Sequence, residues 1–146
     1  DRDRIFVGGS SAGGHLTGMM VAGGWQEEHD LPIDVVKGGL PISGLFDLEP
    51  IVKCFVNEWM QMSIEDGQRN SPVENLPEIG CPLIVAVGGD ETNEFRRQSK
   101  DFSNLWQSRG WKANYLECRD LNHFNAPLEL CKSNSQMTEE LLAMIN

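Results

Sequence analysis

The chain has 146 residues, of which 22 are acidic and 12 basic, giving a formal net charge of -10 at pH 7. That length suits a single domain, residues 1–146, able to bury roughly 70% of its unfolded surface, and 40% hydrophobic with 23% charged residues is ordinary globular usage that argues against disorder. The negative balance excludes nucleic acid and anionic membranes as natural partners, and because the acids are scattered rather than blocked they read as a solvated surface.

Ile5-Phe6-Val7 predicts a short strand that runs into glycines, and Leu16, Met19 and Met20 follow with helical spacing up to Gly23-Gly24. Ile33 to Ile42 is β-branched and apolar, a second buried strand with edges blurred by Gly38-Gly39 and Pro41. From Phe46 to Met62, apolar residues at 48, 51, 52, 55, 56, 59 and 60 predict one helix, with Pro50 in its first turn. Residues 63–80 are polar and read as an irregular connection containing one short helix, with Asp66-Gly67 and Ser71-Pro72 as turns.

Pro82 to Val87 is the clearest strand, apolar on both faces as a parallel strand covered by helices must be. Thr92 is placed to cap a helix carrying Phe95, Phe102, Leu105 and Trp106 on one face and stopped by Gly110. Trp111 to Cys118 alternates as a strand, and Ser135 starts a last helix on Met137, Leu141, Leu142 and Ile145. Strand and helix thus alternate four times, which predicts an α/β fold: a parallel sheet with flanking helices and right-handed crossovers. Ligands of open sheets of this kind lie at the carboxyl ends of the strands, where the glycine-rich turns after Val7 and Val87 fall.

Gly9-Ser10-Ser11-Ala12-Gly13 satisfies G-x-S-x-G in the strand-to-helix setting the motif requires. A sharp turn exposes the serine hydroxyl, small neighbours two residues either side avoid collision, and the helix N-terminus beyond favours developing negative charge. Ser10 fits only the looser Gly8-x-Ser-x-Ala12 frame, so Ser11 is the candidate nucleophile. A P-loop would need a Lys that is absent, and no two of these glycines have the spacing of the dinucleotide fingerprint.

A serine needs a base, and the base an orienting third group. His15, one helical turn past Ser11, would point along the helix, and His29 lies in a polar connection; both read as structural or exposed. His123 follows the last strand at the same sheet edge as Ser11. Gly88-Gly89-Asp90-Glu91, after the strand Pro82 to Val87, offers two adjacent carboxylates, of which Glu91 is preferred as the acid and Asp90 is the alternative. The order serine, acid, histidine is that of the α/β-hydrolases.

VGGSSAGGHL, SGLFDLEPI from Ser43 to Ile51, Ser71-Pro72, VGGDETNEFRRQS from Val87 to Ser99 and LNHF together resemble the arylformamidase (kynurenine formamidase) branch of the α/β-hydrolase family, over nearly the whole chain. The resemblance implies a triad of Ser11, Glu91 and His123, one oxyanion donor from the Ala12 N–H, and acyl transfer on a small aryl formamide or ester of the N-formylkynurenine kind. Glu91 departs from the family's commoner Asp, which keeps Asp90 in view. Family members also carry further strands and a His-Gly-Gly type loop upstream of the nucleophile. The chain begins without Met and with few residues before its first strand, so it is expected to be the carboxyl-terminal half of such a hydrolase, its last four strands. Losing an oxyanion donor typically costs on the order of 10²- to 10³-fold in turnover, so such a half should be crippled.

Two further readings stand beside this one: a general carboxylesterase, and a folded but catalytically incomplete fragment. The partner is expected to be a small-molecule substrate. A first strand left with one free edge invites association, so a homo-oligomer through the exposed sheet edge is expected. Cys54, Cys81, Cys118 and Cys131 form no CxxC pair and lack a nearby His, which disfavours zinc or thioredoxin chemistry; no metal or organic cofactor is implied. The chain shows no secretory leader and no apolar run of the ~18 residues a membrane span needs, so a cytoplasmic location is expected.

Overall fold

The computed structural model describes Asp1 and residues 3–146. Four parallel strands form one sheet in the order β1 (Ile5–Ser10), β2 (Val36–Ile42), β3 (Leu83–Gly88) and β4 (Ala113–Cys118). The register aligns Ser10 with Ile42, Ile42 with Ala86 and Gly88 with Cys118, so all four strands end along one edge of the sheet. The helices are α1 (Ala12–Val21), α2 (Trp25–Glu28), α3 (Glu49–Val52), α4 (Asn57–Met60), α5 (Ile64–Arg69), α6 (Asn93–Ser108) and α7 (Gln136–Ile145), with 3₁₀ turns at Pro72–Glu74 and Ala126–Cys131.

β3 shows how the sheet organises the core. Its side chains alternate across the sheet with a period of two. Leu83 and Val85 join Val21 of α1 and Phe102 and Trp106 of α6 on one face. Ile84 and Ala86 join Leu40, Ile42, Leu116 and Met137 of α7 on the other. Phe46 and Phe102 stack with ring centroids 4.2 Å apart, and the Trp106 indole N–H donates to the Cys81 carbonyl at 2.9 Å. Two helix ends match their sequence signals: the Ser135 hydroxyl accepts the Thr138 N–H at 3.1 Å, and Gly110 after α6 takes φ 82°, a left-handed angle glycine adopts without strain; Thr92 stands at the N-cap of α6 as expected, but its side chain makes no capping bond.

Three further details differ from the sequence-based expectations. α1 does not bury Leu16, Met19 and Met20; its inner face is Gly14, Thr17, Gly18 and Val21, and Leu16 is 60% exposed. The helix lies so close to the end of β2 that a Cβ on Gly14 would sit 2.7 Å from the Ile42 carbonyl oxygen and 2.8 Å from Gly44 Cα, so small residues rather than large ones make the contact.

The single helix expected over Phe46 to Met62 is two short ones, α3 and α4. Between them the backbone tightens into i−3 bonds, from Cys54 to Ile51 and from Asn57 to Cys54. The Asn57 side chain then closes a ring on the Met62 N–H and carbonyl, competing with the helix for its own continuation. Phe55, Trp59 and Met60 from that apolar stripe are exposed. Finally, Asp66-Gly67 is no turn: Asp66 and Ser63 form a reciprocal capping box at the start of α5, with bonds of 3.1 and 3.0 Å.

Candidate active site

At the carboxyl edge of the sheet, β1 gives way to α1 through Ser11, whose φ of 59° lies in the left-handed region that side chains disfavour. Its N–H donates to the Ile42 carbonyl at 2.9 Å, which pins the turn to the end of β2, and its carbonyl accepts the His15 N–H as the first bond of the helix. Gly9 is required here: a Cβ would fall 2.6 Å from the Gly13 carbonyl oxygen. Gly13, also expected to make room, faces open space. Ala12 opens α1, so its N–H belongs to the first turn, which has no intrahelical partner and carries the positive end of the helix dipole.

Glu91 comes from the turn after β3. That turn is held by Gly89 N–H donating to the Cys118 carbonyl at 2.8 Å and Asp90 N–H to the Leu121 carbonyl at 2.9 Å, tying the ends of β3 and β4 together. The Glu91 side chain is only 1% exposed, yet each oxygen is satisfied. Oε1 accepts the Gly88 N–H at 2.8 Å and the Ser43 hydroxyl at 2.5 Å, and Oε2 lies 2.7 Å from His123 Nδ1. Asp90, the alternative acid, is exposed.

His123 sits in a loop whose shape is set by its neighbours. The Asn122 carboxamide oxygen accepts the Phe124 N–H at 2.9 Å, and that of Asn125 accepts the Asn122 N–H at 2.6 Å. The ring rests against Phe95 of α6 with centroids 4.7 Å apart, and Phe124 stands edge-on at 5.7 Å. Nε2 is 2.9 Å from Ser11 Oγ. With Nδ1–H donating to a carboxylate, Nε2 carries the lone pair and can accept the serine proton. The structure therefore brings Ser11, His123 and Glu91 into one chain of hydrogen bonds reaching from a half-buried hydroxyl to a buried carboxylate.

The other histidines lie elsewhere: His15 Nε2 bonds the Asn70 carbonyl at 2.8 Å, joining α1 to the end of α5, and His29 is exposed beside Trp25. The cysteines are all unpaired, and burial pushes the Cys81 and Cys118 thiols up to about 11, away from thiolate chemistry at neutral pH. Among the described residues no group of three or more His, Cys, Asp or Glu is placed to hold a metal ion, and no helix is long and apolar enough to cross a membrane.

Two contributors had no role assigned from the sequence. Ser43, directly after β2, donates to Glu91. Gln98 of α6 uses its side-chain oxygen to accept the N–H groups of Phe46 and Asp47 at 2.8 and 3.0 Å, holding the loop that follows Ser43. The available signal for Ser43 was a serine immediately beyond an apolar strand, at the sheet edge where Ser11 also lies.

No family model matches the chain. It is 33% identical to the kynurenine formamidase of Danio rerio over 146 residues, 97% of this chain and 49% of that protein. It is likewise 33% identical to the kynurenine formamidase of Salmo salar, over 97% of this chain and 49% of that one. The chain thus spans about half the length of the curated relatives it matches. A solved structure from a Silicibacter species, of a protein assigned as a thioesterase, superposes with a TM-score of 0.76 at 29% identity, covering 94% of this chain and 48% of the other. An esterase of Thermogutta terrifontis bound to propionate gives 0.69 at 14% identity, over 99% and 57% of the two chains, a likeness of fold alone.

Proposed function

This chain has the α/β-hydrolase fold and is homologous to kynurenine formamidases along nearly its whole length, and on that premise we propose that it is a serine hydrolase with Ser11 as nucleophile, His123 as base and Glu91 as the group that orients the imidazole. The observation that carries the reading is the unbroken relay from Ser11 Oγ to His123 at 2.9 Å and from His123 to the buried Glu91 carboxylate at 2.7 Å.

The chemistry follows from those contacts. His123 Nε2 takes the Ser11 proton as Oγ attacks the carbonyl carbon of a formamide or ester. The Ala12 N–H, at the positive end of α1, donates to the oxyanion that forms. Glu91 stabilises the imidazolium without taking its proton. His123 next protonates the departing amine or alcohol, which leaves the acyl group on Ser11. A water that loses its proton to the same Nε2 then hydrolyses the acyl-serine. For a formamide the products are an amine and formate. A formyl group as the acyl donor and an arylamine leaving group of the N-formylkynurenine kind are suggested by the likeness to kynurenine formamidases, and the Phe95 and Phe124 rings beside His123 offer an aromatic flank that suits an aryl group.

The test compares hydrolysis of N-formylkynurenine and p-nitrophenyl acetate by the full chain and by Ser11→Ala. The proposal expects the formamide to be preferred and both activities to vanish in the variant; hydrolysis unchanged by Ser11→Ala would remove the mechanism. We include self-association in the proposal. Among the described residues β1 pairs with β2 alone, which leaves its second edge open to another strand. A sedimentation profile of a clean monomer would contradict that part.

A further inference from the structure

We propose that Ser43 is a positioning residue: its hydroxyl, together with the Gly88 N–H, locks Glu91 Oε1 so that Oε2 stays aimed at His123 Nδ1. The inference rests on the triad reading above for its functional meaning, but its geometry stands separately. Ser43 is fully buried, its N–H donates to the Ala86 carbonyl at 2.8 Å, and its hydroxyl donates to Glu91 Oε1 at 2.5 Å. It therefore lies between the strand end that pins Ser11, through the Ile42 carbonyl, and the strand end that carries Glu91.

Two further observations point to the hydroxyl rather than to packing. Ser43 has φ 50°, one of five non-glycine residues in the left-handed region among the described residues. At that angle glycine is the less strained residue, so what serine adds is the oxygen. The terminal torsion of a glutamate is broad and roughly two-fold, so a carboxylate tethered by one donor can swing. Two donors on Oε1, from Gly88 and Ser43, remove that freedom and leave Oε2 for the imidazole. A hydrogen bond to a charged group inside the protein is among the stronger kinds.

Ser43→Gly is the informative variant, because it deletes the hydroxyl while relaxing the backbone; Ser43→Ala deletes it while keeping the strain. The full chain is read in two ways: the low-field proton resonance of His123 Nδ1–H, which needs no turnover, and the rate at which a fluorophosphonate labels Ser11. Wild-type far-UV circular dichroism in Ser43→Gly establishes that the fold is kept; if only Ser43→Ala folds, the same readouts are taken there. The expected result is a low-field proton that moves upfield or broadens away, and labelling slowed about tenfold at an unchanged half-saturating probe concentration, the loss of part of one charge-assisted bond. An unchanged proton signal in a folded variant would overturn the role of Ser43. If wild-type Ser11 is not labelled while the proton signal still responds to Ser43→Gly, Ser43 positions Glu91 as proposed and it is the nucleophile reading that fails.

Discussion

β3 and β1 are six-residue parallel strands of one sheet, but they are held in different ways. Every residue of β3 is buried, with β2 and β4 on its two edges, α6 against one face and α7 against the other. Among the described residues β1 pairs on one edge, is exposed or half-buried along its whole length, and borders an apolar hollow of about 410 Å³ lined in part by Phe6, Leu40 and Leu141. The contrast runs through the candidate site. Glu91 follows the fully buried β3 and His123 is held against Phe95 in the loop after β4, whereas Ser11 is fixed chiefly by backbone contact: its own N–H to Ile42, and the close approach of Gly14 to the end of β2. Burial secures the acid, hydrogen bonds within its loop hold the base, and close backbone packing secures the nucleophile.

The comparison predicts where the molecule breaks. The largest effect belongs to Trp106→Ala, which empties a site that is fully buried and removes the donor to the Cys81 carbonyl; a loss of about 3–5 kcal/mol is expected in urea unfolding. A loss below about 1 kcal/mol would mean that the β3 side is not the dense one. On the β1 side the sensitive position is Gly14. Gly14→Ala is expected to cost about 1–3 kcal/mol, because its new methyl meets backbone that cannot swing away, and to slow labelling of Ser11 by displacing α1. Gly13→Ala, with nothing within 4 Å, is expected to leave stability unchanged or raise it by about 0.5 kcal/mol. Equal destabilisation by the two would contradict the close-packing account.

Thiol reactivity sharpens the contrast without a mutation. With iodoacetamide at pH 8 the exposed Cys131 should be alkylated first, and Cys81 and Cys118 last, since burial holds both thiols near 11 and leaves little thiolate. Mass mapping that found Cys81 modified as fast as Cys131 would show the β3 side opening readily. The smallest effect is expected for Leu16→Ala, within about 0.5 kcal/mol of the parent, because the side chain is 60% exposed despite its place in an apolar helical pattern.

The sheet was legible because parallel strands buried on both faces are written as continuous apolar runs, as in Leu83 to Val87. Ser11, Glu91 and His123 could be singled out because a strand-to-helix turn, a post-strand acid and a late histidine each leave a local signature. What could not be read depends on contacts between distant segments. The inner face of α1 is built around Gly14 and Gly18, beside Thr17 and Val21, and no hydrophobic pattern marks the two glycines. The stripe from Leu48 to Met60 has the period of a helix, but Asn57 and Met62 close the chain on itself before that helix completes. Ser43 meets Glu91 across 48 residues, a separation that carries no spacing signal at all.

The most direct test of the central claim is covalent. The full chain is incubated with a fluorophosphonate, and the adduct is located by mass spectrometry in the parent and in His123→Ala. The account predicts a single adduct on Ser11 that disappears when His123 is removed. An adduct on Ser10, labelling indifferent to His123, or no adduct at all would contradict it.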